Sequence, residues 1–210
     1  MMRLDAEMQT DITQNDEEKL LYAFEQYIAA ESPDIVILED YNKGVLTQTV
    51  VTKIIALCKQ HHILTAVDPK RKNFFSYVGV DIFKPNLKEA VEGLNILTDV
   101  VNLSLLKDIH LLLQEKLKHK ISFITLSEKG VFYNDNNSSS LIPTHIRSIA
   151  DVCGAGDTVI AVASLVYAAT KNVKLMAEVA NIAGGLVCEE VGTVAINKES
   201  LLKECEELLT

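Results

Sequence analysis

The stretch Asp151-Val152-Cys153-Gly154-Ala155-Gly156-Asp157-Thr158 leads directly into the largely apolar run 159–169. Two glycines flanking an alanine predict a tight turn whose backbone N–H groups can converge on an anion, because no large side chain obstructs them. The N-terminus of the following helix adds a partial positive charge. We therefore predict that Gly154, Ala155 and Gly156 bind a phosphate group without the help of basic residues.

Asp157 lies in the first turn of the predicted helix, next to this glycine turn (residues 151–156). A carboxylate at that point could remove the proton from a hydroxyl group that attacks a γ-phosphate. The alternative is an acid that only stabilises the helix N-terminus. A Walker A loop is excluded because no Gly-Lys-Ser/Thr follows, and a dinucleotide-binding fingerprint is excluded because its third glycine is missing.

Helix and strand patterns alternate along the chain, which predicts an α/β fold with a mostly parallel central sheet and helices on both faces. Short apolar runs typical of buried strands cover 34–38, 63–67, 81–83, 121–126 and 131–133. Helical spacing covers 17–30, 46–61, 87–95, 103–119, 156–170, 175–191 and 198–208. The polar segment 134–140 is interpreted as a surface turn.

Polar residues follow several of the predicted strands. They are Asp40, Asp68, Asn86 and the pair Ser127-Glu128. A single acid after a strand is more often a helix cap or a turn former. Ligands nevertheless bind at the carboxyl ends of the strands in sheets of this kind, so four polar positions at one edge predict a binding site there.

The composition limits the function classes. A net charge of −9 gives no support for nucleic-acid binding, which depends on Lys and Arg side chains. The run 159–169 is too short to span a membrane, which takes about 20 residues, and the acidic N-terminus does not resemble a signal peptide. We expect a cytoplasmic protein.

The four cysteines are interpreted as buried thiols and the five histidines as surface or helix-capping residues.

The glycine turn with Asp157 resembles the C-terminal signature of the ribokinase-like (PfkB) carbohydrate kinases. Segment 86–89, Asn-Leu-Lys-Glu, is similar to the Asn-x-x-Glu motif of that family, and segment 125–130 resembles the strand and turn that line its nucleotide. The resemblance implies a ribokinase-like fold, ATP and Mg²⁺ as cofactors, with a monovalent cation possible, and Asp157 as general base. It implies that Gly154, Ala155 and Gly156 form an anion hole, and that Asn86 and Glu89 act on the metal through water. The nucleotide contacts implied are Asn86, Leu87, Lys88, Glu89, Ser127, Glu128, Gly130, Asn181 and Gly184. For Asn181 and Gly184 the alternative is close helix packing.

The segment 39–47, Glu-Asp-Tyr-Asn-Lys-Gly-Val-Leu-Thr, together with Asp68-Pro69-Lys70, is similar to the heptose 7-phosphate kinases of this family. Those enzymes phosphorylate C1 of D-glycero-β-D-manno-heptose 7-phosphate on the route to ADP-heptose and surface glycans such as lipopolysaccharide. The resemblance implies substrate contacts at Asp40 and Lys43, although Asp40 could instead order its loop and Lys43 could be a solvated lysine. Glu39 and Cys153 replace the serine and threonine that are usual in this group.

Family members normally carry an N-terminal third that holds the sugar-binding glycines and a lid. The resemblance implies that residues 1–210 form a single domain, the nucleotide-binding and catalytic portion, without that third. We therefore expect a homodimer or an association with the missing half. Two alternatives stay open: a ribokinase-like kinase for another sugar or a nucleoside, and a nucleotide-binding module without turnover.

Overall fold

The computed structural model describes residues 9–97, 100–145 and 147–209. The helices in this part of the chain are α1 (Gln14–Glu31), α2 (Gln48–Gln60), α3 (Leu87–Gly93), α4 (Leu103–Leu117), α5 (Ala155–Thr170), α6 (Val173–Val187) and α7 (Lys198–Leu208). The strands are β1 (Ile35–Glu39), β2 (Leu64–Asp68), β3 (Ile82–Phe83), β4 (Ile121–Thr125), β5 (Val131–Asn134) and β6 (Ser139–Ile142).

The six strands form one sheet in the order β1-β2-β3-β4-β5-β6. Neighbouring strands are parallel from β1 to β4, and β5 and β6 add two antiparallel pairings. This arrangement confirms the predicted α/β fold with a mostly parallel sheet. It also brings the carboxyl ends of β1, β2 and β3 to one edge, as the polar residues after these strands require.

Helices cover both faces of the sheet. Residues from α1, α2, α3 and α4 share a core with one face, and residues from α5 and α6 share a core with the other. In β3, Phe83 contributes to the first core and Ile82 to the second, and neither side chain is exposed to solvent. The period of two along a strand explains why adjacent residues reach opposite faces.

Most helices begin with a side chain that accepts a hydrogen bond from the first turn. The residues that cap helices in this way are Thr13, Thr47, Asn86, Asn102, Asn172 and Asn197. Helix α5 differs, because it begins after Gly154, whose φ is +78°, and no side chain among the described residues caps it. The N-terminus of α5 therefore presents backbone N–H groups that its own side chains leave open.

Three interpretations of the sequence are wrong. Segment 134–140 is not all turn, because Ser139 and Ser140 belong to β6, a half-exposed edge strand with little apolar signal. Cys58 is the buried cysteine of the four, whereas Cys153 is exposed and the others are half-buried. His110 and His119 are buried, and they bind the hydroxyl of Ser122 at 2.9 and 2.6 Å.

No helix in the described ranges is long and apolar enough to cross a membrane.

Candidate active site

The glycine turn meets the carboxyl ends of the strands because α5 packs against β1 and β2. A Cβ atom built on Gly156 would lie 3.7 Å from Oδ2 of Asp68 and 3.9 Å from Nζ of Lys84. Asp157, the next residue, is half-buried in the first turn of α5. The structure thus brings together the glycine turn, Asp157 and Asp68.

Hydrogen bonds fix the shape of the glycine turn. Asp151 accepts from the backbone N–H of Cys153 at 3.0 Å and from that of Gly192 at 3.2 Å. The bond from Cys153 makes the largest contribution to lowering the pKa of the Asp151 carboxyl. A Cβ atom on Gly154 would come within 2.8 Å of the Thr193 methyl group, so this position requires glycine for space as well as for its positive φ.

Lys84 is a basic residue at this site, and the sequence analysis missed it. Only 2% of the residue is exposed, and its ammonium group lies 3.0 Å from Oδ2 of Asp68. The prediction of an anion site without basic residues is therefore wrong. The missed signal is that Lys84 directly follows β3, at the same edge as Asp68, where a buried lysine needs a carboxylate partner.

Two further residues lie near Asp157: Glu39 at the end of β1 and Tyr41 in the loop that follows this strand. The hydroxyl of Tyr41 faces the Asp157 carboxylate, and burial together with this carboxylate raises the pKa of Tyr41 to about 12. Burial also raises the pKa of Glu39, and the negative charges of Asp157 and Asp68 add to that effect. Asp157 thus lies among other acids, with the cation of Lys84 next to them.

Asp40 and Lys43, the predicted substrate contacts, take different positions on this loop. Asp40 is 4% exposed, and its carboxylate accepts from the hydroxyl of Tyr77 at 2.7 Å and from the N–H of Asn42 at 2.8 Å. These bonds give Asp40 the loop-ordering role. Lys43 is exposed, with its ammonium group 5.9 Å from the centre of the Tyr41 ring.

Asn86 and Glu89 form a capping box at the start of α3. The side chain of Asn86 accepts from the N–H of Glu89 at 2.8 Å, and Oε2 of Glu89 accepts from the N–H of Asn86 at 2.8 Å. Oε1 of Glu89 also accepts from Nζ of Lys70 at 2.7 Å. No cluster of three or more His, Cys, Asp or Glu able to hold a metal occurs in the described ranges. These engaged oxygens do not fit a preformed magnesium site, and the metal role of both residues stays a prediction.

The two residues between them have other surroundings. Leu87 packs against the core on the α1 to α4 face. Lys88 is exposed and lies 3.8 Å from Glu92, one turn further along α3. Their predicted contact with a nucleotide has no support from these positions.

The other predicted nucleotide contacts lie further along the edge of the sheet. Ser127 and Glu128 are exposed in a short 3₁₀ turn after β4. A bridge between Asn86 and Thr125 places the start of α3 next to that turn. Gly130 has φ +94°, and a Cβ there would collide with the backbone at Ile142, so glycine is required for close packing.

Asn181 and Gly184 have packing roles in α6. Asn181 donates to the carbonyl oxygen of Pro143 at 2.9 Å. A Cβ on Gly184 would lie 2.6 Å from a methyl carbon of Val159, which shows that Gly184 lets α6 approach α5 closely. The alternative of close helix packing accounts for Gly184, and the nucleotide contacts of both residues stay predictions.

Comparison with known sequences identifies relatives of the chain. Residues 3–200 match the pfkB family carbohydrate kinases. The chain is 34% identical over 197 residues to the bifunctional protein HldE of Sulfurimonas denitrificans, covering 94% of this chain and 40% of that protein. It is 35% identical over 203 residues to the HldE protein of Aliarcobacter butzleri, covering 96% and 41%. The chain thus spans about 40% of the length of these relatives.

Comparison with solved structures confirms the ribokinase-like fold. Phosphofructokinase-2 from Escherichia coli, in complex with potassium, matches with a TM-score of 0.82 and 16% identity, covering 95% of this chain and 64% of that one. Ribokinase from Arabidopsis thaliana, complexed with ribose and ATP, matches with a TM-score of 0.70 and 17% identity, covering 92% and 59%. At such low identity, these matches concern the fold alone.

Proposed function

This chain belongs to the pfkB family of carbohydrate kinases, and from that premise we propose that it transfers the γ-phosphate of ATP to a hydroxyl group of a sugar phosphate. The observation that carries the proposal is the N-terminus of α5. It lacks a side-chain cap among the described residues, holds Asp157 in its first turn and lies beside the buried ammonium group of Lys84.

Each part of this arrangement has a task in phosphoryl transfer. The N–H groups of Gly154 and Gly156 bind the transferring phosphate, and Lys84 offsets its negative charge. The N–H of Ala155 already donates to the carbonyl oxygen of Val152 at 3.3 Å. Asp68 holds Lys84 in place through their 3.0 Å ion pair. Asp157 accepts the proton of the attacking sugar hydroxyl. The oxygens of Asn86 and Glu89, which the resemblance assigns to a metal, accept hydrogen bonds from the backbone and from Lys70.

We propose C1 of D-glycero-β-D-manno-heptose 7-phosphate as the acceptor, for ADP-heptose and surface glycan biosynthesis. Two observations support this substrate: the resemblance of segments 39–47 and 68–70 to heptose 7-phosphate kinases, and the similarity to two bifunctional HldE proteins. Since Asp40 is held by Tyr77 and Asn42, Lys43 is the better candidate for the sugar phosphate. Its charge is exposed on the loop next to Asp157.

The test is formation of ADP from ATP in the presence of heptose 7-phosphate, with fructose 6-phosphate, ribose and a sugar-free sample as comparisons. We expect formation of ADP that depends on heptose 7-phosphate. Phosphorus NMR of the product should show a new phosphate at C1. Faster ADP formation with another sugar would contradict the proposal that heptose 7-phosphate is the acceptor. Calorimetric binding of ATP without ADP formation from any sugar would favour a nucleotide-binding module instead.

We propose further that the edge of β1, which no other strand pairs with in the described ranges, associates with another chain segment, either a second copy or the N-terminal part of a longer relative. Strand β1 is the first strand of the sheet, and its residues Ile35, Val36 and Ile37 are only half-buried. Unpaired strand edges recruit further strands. Light scattering should therefore show self-association. Ile37→Lys should reduce it, with folding checked by circular dichroism because Ile37 also packs against the core shared with α5 and α6. Lys53→Ala on α2 should leave self-association unchanged.

A further inference from the structure

Lys70 lies between the carboxylates of Asp68, which also pairs with Lys84, and Glu89. Its ammonium group is 3.3 Å from Oδ1 of Asp68 and 2.7 Å from Oε1 of Glu89. Burial lowers the pKa of Lys70, but Glu89 and Asp68 outweigh burial and raise it overall. Lys70 therefore keeps its positive charge while it lies between Asp68 and Glu89.

The remaining oxygens of these carboxylates are also engaged. Oδ2 of Asp68 pairs with Lys84 at 3.0 Å, and Oε2 of Glu89 accepts from the N–H of Asn86 at 2.8 Å. Each of the four oxygens thus has a partner, and two of the three partner groups are ammonium groups. Magnesium demands near-octahedral oxygen coordination, so a free ion would have to displace Lys70 to reach Glu89.

We propose that Lys70 is the resident cation of this site and keeps free divalent metal ions away from Asp68 and Glu89. The proposal rests on the proposed function only in locating the site at the phosphate-transfer edge. A divalent ion then enters only with ligands of its own, such as nucleotide phosphates, or when Lys70 is drawn toward another anion.

The two lysines differ in their freedom to move. The side chain of Lys84 is 3% exposed, whereas that of Lys70 is 32% exposed and lies in the loop after β2. A swing of Lys70 toward an incoming phosphate costs little burial, because a third of its side chain already meets solvent. Lys70 is thus the exchangeable cation, and Lys84 is the permanent one.

The test measures binding of Mn²⁺ alone, without nucleotide, by electron paramagnetic resonance of the free ion. In Lys70→Met the positive charge is lost while the length of the side chain is kept, and we expect Mn²⁺ to bind about tenfold more tightly than in the unmodified chain. Lys70→Arg keeps the charge and should bind Mn²⁺ no better than the unmodified chain. Lys107→Met, at an exposed position on α4, is the control and should leave Mn²⁺ binding unchanged.

The double variant Lys70→Met/Glu89→Gln locates the effect, because it should lose the gain in Mn²⁺ affinity. Equal Mn²⁺ affinity in the unmodified chain and in folded Lys70→Met, checked by circular dichroism, would overturn the proposal. A gain that survives in the double variant would overturn it as well. If Lys70→Met fails to fold, tight Mn²⁺ binding by the unmodified chain alone still refutes the idea. None of these measurements uses turnover, so they stand apart from a failure of the proposed kinase activity.

Discussion

The N-termini of α3 and α5 lie at the same edge of the sheet but treat their backbone N–H groups in opposite ways. Helix α3 closes its first turn with the capping box of Asn86 and Glu89. Helix α5 begins at Gly154 with no side-chain cap among the described residues. The sequence predicts that both segments contact a nucleotide. In α3 a side chain of the helix itself accepts from the first turn, whereas the first turn of α5 keeps N–H donors for a ligand.

The difference between the two helices shows that a four-residue motif such as Asn-x-x-Glu does not by itself distinguish a ligand site from a helix cap. The Asn-x-x-Glu pattern is also the pattern of a capping box, and in this chain both side chains accept hydrogen bonds from the backbone at the start of α3. The glycine turn has no side chain that could close its own helix. The uncapped N-terminus of α5, next to the buried Lys84, therefore supports the binding of an anion. The N-terminus of α3 gives no such support, because its capping box already uses the first-turn N–H of Glu89.

The largest effect should come from Asp157→Asn. Loss of the proton acceptor should reduce turnover by about 100-fold or more while ATP binding changes little, because only proton removal is lost. Steady-state kinetics and calorimetry with ATP measure the two quantities. Asp16→Asn is the control, since Asp16 also lies in the first turn of a helix, α1, and should leave turnover unchanged. Turnover within a few-fold of the unmodified chain would reduce Asp157 to a helix-start residue.

The amino ends of the strands provide a second closed site for comparison, formed by His110, His119 and Ser122. Burial lowers the pKa of His119 to about 3, and the neighbouring His110 adds to this effect. Because the unfolded chain takes up this proton near pH 6.5, stability should be full above that pH and fall below it. The loss should reach about 2 kcal/mol at pH 5 for His119.

Urea unfolding from pH 7.5 to 5 measures this pH dependence. His119→Gln should flatten the slope even if it lowers stability at every pH, because glutamine does not take up a proton when the chain unfolds. His62→Gln, at an exposed position, should keep the slope. An unchanged slope in His119→Gln would show that other groups cause the acid sensitivity.

Gly154→Ala should close part of the open N-terminus and destabilise the fold by about 2 kcal/mol. The cost has two sources, the positive φ and the 2.8 Å approach to the Thr193 methyl group. Gly79→Ala separates them, because Gly79 has φ +84° and no atom within 4 Å of its Cβ position, so it should cost only about 1 kcal/mol. Gly154→Ala should also weaken ATP binding in calorimetry. Equal losses of stability in the two variants, with ATP binding intact, would contradict the role of the turn.

The smallest effect should come from Asn86→Ala, which removes a helix cap and should cost about 1 kcal/mol in urea unfolding. Asn86→Asp keeps an acceptor for the N–H of Glu89 and should restore most of this stability. Asn197→Ala, at the cap of α7, provides the matched loss of a cap away from the site. If Asn86→Asp is stable but binds ATP much more weakly, Asn86 contacts the nucleotide in addition to capping α3, and the contrast between the two helices becomes smaller.

Local signals in the sequence were enough for most elements. Helix α7 was predicted with its observed bounds, 198–208, because Asn197 caps it and its helical spacing is regular. Strand β6 was missed because Ser139 and Ser140 carry no apolar pattern at the edge of the sheet. The partners of Lys70 and Lys84 could not be predicted, because each ion pair depends on how two strand ends and a helix meet. The burial of His110 and His119 depends in the same way on the packing of α4 against the sheet.

The order of the strands has a consequence for folding. Since each strand from β2 to β6 pairs with the strand that precedes it in the chain, the sheet can grow by local additions, which favour rapid folding. Helix α5 is different, because it returns across β1 and β2 from the far part of the sequence. Asp157 therefore reaches Asp68 and Lys84 only by closing a long loop. A chain emerging from the ribosome would assemble its scaffold first and gain its reactive centre last.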